Sequence, residues 1–233
     1  MHVTALQLPA RFGAAKQQLA FAEALLESGP RTDLVLFPEA ALTGYVSAEG
    51  DFDLTAFAEP LDGPTRAAFA HLAKRFDCLV VGPLIEEGPF NSLLGITPNG
   101  ETLIHYRKHH PWFPETWAKP GPSAGELVTW RDHQLFPAIC FDVHFLEEDA
   151  GTKLSEADLL LFASAWVDDD GGDSRPALLQ TIATQHQLAV INANWGPGLP
   201  LLHGQGGSLF IDSQGRIQTR LTEKTGRVDV TLP

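Results

Sequence analysis

Three short segments set a carboxylate, an ammonium and a thiol at or beside the ends of strand-like runs. Residues 33–39, Asp-Leu-Val-Leu-Phe-Pro-Glu, form an apolar run that Pro38 ends, leaving Glu39 at its tip. Residues 135–142, Leu-Phe-Pro-Ala-Ile-Cys-Phe-Asp, repeat the arrangement with Cys140 in that place. Between them lies His105-Tyr106-Arg107-Lys108-His109-His110-Pro111-Trp112, with Glu115 beyond it and Pro120-Gly121 closing the segment. A cysteine attacks a carbonyl as its thiolate, a nearby carboxylate can take the thiol proton, and a lysine ammonium can stabilise both the thiolate and the oxyanion that follows. Pocket residues of open α/β sheets gather at strand ends.

Taken singly, each segment has a plainer reading. A loop glutamate is usually solvated, a free cysteine is usually a small core residue, and a run of histidines and bases is usually a surface. Cys78, which starts the run at 78–81, is the internal comparison for Cys140. The histidines at 105, 109 and 110 also invite a metal. Zinc, however, needs converging side chains at a defined spacing, and Arg107 and Lys108 would add positive charge among them. The sequence therefore predicts no metal site and no cofactor.

The elements that must hold these residues alternate. Strand-length apolar runs occupy residues 3–8, 33–37, 78–81, 92–97, 135–140, 158–162, 188–193 and 208–212. Most are apolar throughout, as strands covered on both faces are. Helical spacing of apolar residues marks 14–28, which Gly29-Pro30 stops, 64–76, which opens on Pro64, and 173–187, with Pro176 in its first turn. The alternation predicts an α/β fold with mixed sheets. The final runs, 208–212, 216–220 and 227–232, read as consecutive strands of a meander. No repeat or linker divides the chain, so one domain over 1–233 is expected.

With 233 residues, 44% of them hydrophobic and 19% charged, the chain has globular composition. Sixteen Lys and Arg against twenty-nine Asp and Glu leave a net charge of −13, a field that repels nucleic acid and anionic lipid. The chain opens on Met1-His2-Val3-Thr4 without a secretory leader, and its longest apolar run, 159–167, is far short of the roughly 20 residues of a membrane span. A cytoplasmic protein is expected. Two cysteines without CxxC spacing offer neither a disulfide framework nor a zinc motif.

Taken together and in order, the segments resemble the carbon–nitrogen hydrolase family, or nitrilase superfamily, over essentially the whole chain. Phe37-Pro38-Glu39, Tyr106-Arg107-Lys108 and Ile139-Cys140-Phe141-Asp142 are similar to the family's three catalytic segments. Asn91-Ser92, Ser164-Ala165-Trp166, Asn194-Trp195-Gly196 and residues 203–208 fall in the family's order as well. The resemblance implies a four-layer α-β-β-α sandwich. It also implies Cys140 as nucleophile, Glu39 as general base and acid, Lys108 as stabiliser of the tetrahedral intermediate, Glu115 as a positioning carboxylate, and the Phe141 N–H as the other oxyanion donor. The stretch after the cysteine, Asp142-Val143-His144-Phe145, departs from the Arg, Phe and Pro of many members, and the loop at 168–173 is unusually acidic. Tyr45, His144 and Trp166 are candidate substrate contacts, and Trp112, Phe113 and Trp195 are further candidates for the pocket wall.

The activity implied is hydrolysis of a non-peptide C–N bond, with a small primary amide expected to give acid and ammonia through a cysteine thioester. A nitrile or N-carbamoyl compound is the alternative within enzymes, and a catalytically silent binding relative the alternative outside them. Should the substrate be anionic, the available cations are Lys108, Arg107 and Arg175. A homodimer is expected. Since the chain ends soon after the last strand, without the long extension of many members, assembly beyond a dimer is not.

Overall fold

The computed structural model describes residues 1–168 and 172–233. Part of the acidic loop at 168–173 therefore lies outside the described residues. Two six-stranded mixed sheets form the centre. In the first, the order is β12(Gly226–Thr231), β1(His2–Gln7), β2(Leu34–Leu36), β3(Leu79–Glu86), β4(Phe90–Ile96), β5(Thr102–Arg107). In the second, it is β11(Ile217–Arg220), β10(Leu209–Ile211), β9(Ala189–Asn194), β8(Leu159–Ser164), β7(His133–Ile139), β6(Val128–Trp130). Each sheet has three parallel strands at its middle, β1-β2-β3 and β7-β8-β9, and antiparallel strands at its margins.

The layering follows from side-chain alternation. Successive residues of a strand point to opposite faces. In β1 to β3, Val3, Ala5, Leu34, Leu36, Leu79 and Val81 join the core between the sheets. Their neighbours Leu6, Val35, Phe37, Cys78 and Val80 pack outward against Ala22 and Leu26 of α1(Ala15–Ser28) and Phe69, Leu72 and Ala73 of α2(Pro64–Phe76). Both faces are covered, which is why these strands read as unbroken apolar runs. On the far side, α3(Leu146–Leu154) and α4(Arg175–His186) cover the second sheet through Ala150, Leu154, Leu179 and Ala183. The result is the α-β-β-α sandwich that the family resemblance implies.

One expectation needs correction, and one helix lies where no element is expected. The last three strands are not a meander: β10 and β11 pair in the second sheet, whereas β12 crosses to the first and pairs antiparallel with β1, His2 opposite Thr231. The helix α3 was not legible, because its run of Leu, Glu, Glu, Asp, Ala, Gly, Thr, Lys and Leu holds only three buried positions and a helix-weakening glycine.

Candidate active site

Strand alternation delivers the lysine. In β5, Ile104 and Tyr106 face the core between the sheets, so Lys108, two further on, keeps their side while His105 and Arg107 take the other. Arg107 and His105 pair outside with Glu86. The Lys108 ammonium, its side chain fully buried, lies 2.7 Å from Glu39 Oε1 and 2.5 Å from Glu115 Oε2. Its backbone N–H donates to Asn91 O at 2.8 Å, and its carbonyl accepts from Gly121 N–H at 2.7 Å.

Glu39 leaves β2 through Phe37 and Pro38 and is followed by Ala40 in the left-handed region, φ 49°. Its second oxygen accepts from the Ala165 N–H at 2.8 Å, just past β8, so the carboxylate bridges the two sheets. Glu115 accepts from the Trp112 N–H at 2.7 Å. The Asn91 amide donates to Glu39 Oε1 at 2.8 Å and to Glu115 Oε1 at 2.7 Å. One ammonium and one amide thus hold two buried carboxyl groups at a fixed separation.

Cys140 ends β7 and opens a tight 3-10 turn, Cys140–His144, with φ 43°. Such a conformation costs a non-glycine residue about 1–3 kcal/mol and clusters at functional sites. The turn is held by Asp142, whose carboxylate accepts from Ile139 N–H at 3.0 Å, Tyr106 O–H at 2.7 Å and His110 N–H at 2.8 Å. The Phe141 N–H sits in the first turn, where helical N–H groups lack partners within the helix.

Burial dominates the electrostatics. It pushes the Cys140 thiol well up, with the Glu39 carboxylate adding to the shift and Lys108 opposing it. For Lys108 burial acts downward, but Glu115 and Glu39 outweigh it and keep the ammonium charged. Glu115 is raised by burial against the pull of Lys108. Both carboxyls ionised around one ammonium would leave excess buried negative charge, which is what the shift of Glu115 relieves.

Above this cluster an aromatic group closes the space. Tyr45 lies 6.3 Å from Trp112 in a stacked pair and 5.7 Å from Trp195 edge-on, and its buried hydroxyl has no hydrogen-bond partner among the described residues. Its pKa is raised by burial first and then by Glu115, Glu39 and Cys140. Trp166 is buried and its N–H donates to Asn194 Oδ1 at 3.0 Å. His144 is exposed, 5.9 Å from the Trp166 ring, and desolvation there lowers its pKa.

Three sequence candidates take other places. Phe113 is 75% exposed and lies edge-on to Trp112 at 4.9 Å. Arg175 is fully buried, its Nη2 donating to Asp173 and to the carbonyls of Gly206 and Gly207, and Arg107 is held by Glu86. Conversely, Asn91 and Asp142 emerge as positioning residues. Only their family-like placement, without any role, marked them in the sequence.

A family model described as carbon–nitrogen hydrolase matches residues 2–232, and the chain belongs to that family, the nitrilase superfamily. It is a hydrolase of carbon–nitrogen bonds. Among curated relatives, an (R)-stereoselective amidase of Pseudomonas sp is 29% identical over 221 residues, 93% of this chain and 79% of that protein. The omega-amidase YafV of Yersinia enterocolitica is 27% identical over 229 residues, 94% and 84% of the two. A cysteine-to-alanine mutant of the Nesterenkonia AN1 amidase superposes with a TM-score of 0.86 at 25% identity, over 100% of this chain and 90% of that one.

Proposed function

We propose that the protein hydrolyses a small primary amide to acid and ammonia, as one carbon–nitrogen hydrolase domain over 1–233, through a thioester on Cys140. The observation that carries this reading is the buried Lys108 ammonium held between Glu39 and Glu115 beside a cysteine whose backbone is strained at a strand end. Amidase relatives supply the bond type.

Glu39 takes the Cys140 proton as sulfur attacks the carbonyl carbon, and the C=O bond opens to an oxyanion. Lys108 and the Phe141 N–H stabilise that oxygen. Collapse re-forms the C=O bond, breaks the C–N bond and expels ammonia with the proton from Glu39. Water, giving a proton to Glu39, then attacks the thioester, and sulfur leaves as the thiol with that proton returned. Glu115 holds Lys108 in place, and the Tyr45 hydroxyl and the faces of Trp166 and His144 meet the substrate. No step calls for a metal or a redox partner.

Intact mass and ammonia release with a panel of small amides test this. Wild type is expected to show turnover or an acyl adduct on Cys140. Cys140→Ala abolishes both, Lys108→Met lowers kcat by at least about 100-fold, and Glu39→Gln lowers it by about 100- to 10,000-fold. Carbon dioxide among the products would reassign the substrate to carbamoyl compounds, and turnover surviving in Cys140→Ala would end the thioester mechanism.

We further infer a cytoplasmic homodimer with no nucleic-acid or membrane partner. Leu199 and Leu201, 80% and 76% exposed on the loop after β9, support self-association, and the net charge supports the rest. Among the described residues no helix is long and apolar enough to cross a membrane. Sedimentation that finds only monomer across a concentration series would sink the dimer.

A further inference from the structure

The histidine segment beside Lys108 reads from sequence as a poor metal site, because nothing converges on it and two bases interrupt it. The structure answers both objections. Lys108 turns inward to Glu39 and Glu115, and Arg107 is bound by Glu86, so neither charge is left unpaired beside His109 and His110. Convergence comes from Asp149, in the first turn of α3. One ring nitrogen from each histidine and one Asp149 carboxylate oxygen all lie within 4.8 Å of one another.

The rings are oriented before any ion arrives. His109 Nδ1 lies 2.7 Å from the Gly121 carbonyl, so Nδ1 carries the proton and the neutral ring keeps its lone pair on Nε2. Metal-binding histidines are held by such outer hydrogen bonds to carbonyls. His110 stacks on Phe145 at 4.0 Å between ring centres, and its Nε2 lies 2.6 Å from Asp149 Oδ2. Both histidines are half-buried and Asp149 is exposed, which leaves a path for an ion.

We propose that His109, His110 and Asp149 form a three-ligand site for a divalent transition-metal ion, with Zn2+ the best fit and water in the fourth position. Two imidazoles and a carboxylate suit zinc, and tetrahedral bonds of about 2.0–2.1 Å set ligand atoms about 3.3 Å apart. The His110–Asp149 contact thus needs to open by less than about 1 Å. The plainer reading, a His110–Asp149 pair with the His109 ring hydrogen-bonded to Gly121, gives no part to the His109 Nε2 lone pair. The site is outside the catalytic cluster but tied to it: the N–H of His110 is bound by Asp142, and that of His109 by the Tyr106 hydroxyl. An ion would join the segment carrying Lys108 to the helix that follows the Cys140 turn.

The test is titration of the untagged protein with Zn2+ against a chromophoric chelator, and with Co2+ to read its tetrahedral d–d bands. Wild type and Cys140→Ala are compared, so that binding at the active-site thiol is separated. One ion per chain is expected in both, with affinity falling at least about 10-fold in Asp149→Asn and in His110→Ala and the Co2+ bands lost. Should His110→Ala fold poorly, the exposed Asp149→Asn decides alone. Binding that vanishes with Cys140, or that Asp149→Asn leaves unchanged, overturns the proposal, as does no binding at all.

Discussion

At the scale of single residues, the site trades charge against burial. Lys108 is a buried cation that two carboxyl groups hold ionised, while the Cys140 thiol beside it is pushed above its ordinary value of 9.0 by burial first and by Glu39 next. The chemistry read from sequence begins with a thiolate. Under the proposed mechanism this raised thiol rests protonated, and its proton passes to Glu39 as the carbonyl arrives. A thiol with a raised pKa reacts with iodoacetamide faster as pH rises, with no plateau near neutrality. The alkylation rate of Cys140, followed by peptide mass, is therefore expected to be still climbing at pH 9.0; a plateau between about pH 6 and 8 would mean a preformed ion pair. Cys78, pushed up to about 12 by burial and then by Asp77, lies fully enclosed under α2 and stays unmodified in the folded protein.

Among the elements, the hairpin of β4 and β5 shows what a sequence tells and where it stops. Its first strand is readable as the run at 92–97, whereas β5, whose apolar residues are broken by Thr102, His105 and Arg107, is not among the strand-length runs; its alternation turns Lys108, not Arg107, inward. The partnership of Lys108 with Asn91 is not readable. Counting back from the Ile96–Thr102 pair would set Asn91 opposite Arg107, but an irregularity at Gly95 adds one residue to β5 and sets Ser92 opposite Arg107, hence Asn91 beside Lys108. A slip of one residue exchanges the two faces of a strand. Likewise Glu39 and Cys140 were legible because apolar runs end at them, whereas Asp142 was not, since its three donors come from β5, β7 and the segment at His110. On the outer face of this hairpin, burial would raise the Glu86 carboxyl, but hydrogen bonds from Arg107, His105 and Ser92 outweigh it and hold its pKa at about 2. A carboxyl lowered on folding stabilises the native state above its unfolded pKa near 4.5, and that contribution is lost as pH falls toward about 2. Denaturant midpoints are expected to lose on the order of 2 kcal/mol across this window, and Glu86→Gln to flatten the loss. Equal acid sensitivity in both proteins would refute it.

The whole molecule is closed by contacts between distant parts of the chain. Arg227 in β12 donates to the carbonyls of Leu25 and Pro30 at 2.9 Å each, to Thr4 Oγ1 at 3.0 Å, and to Asp229, so one side chain satisfies the end of α1 and binds it to the margin of the first sheet. Arg227→Ala is expected to destabilise the protein by about 2–3 kcal/mol in denaturant melts while leaving kcat near wild type, because it touches nothing at the site. A loss below about 0.5 kcal/mol would show that solvent replaces these bonds freely. The crossing of β12 to β1 bears also on how the protein is made. Ribosomes release a chain in sequence order, so β1 leaves the ribosome before β12 and keeps one edge bare until β12 follows. The second sheet draws its strands from one continuous stretch, 128–220, and can assemble as that stretch appears. The first sheet must wait until the whole second sheet has followed it out, and through that interval its open edge is a surface for a chaperone to guard or a neighbouring nascent chain to capture.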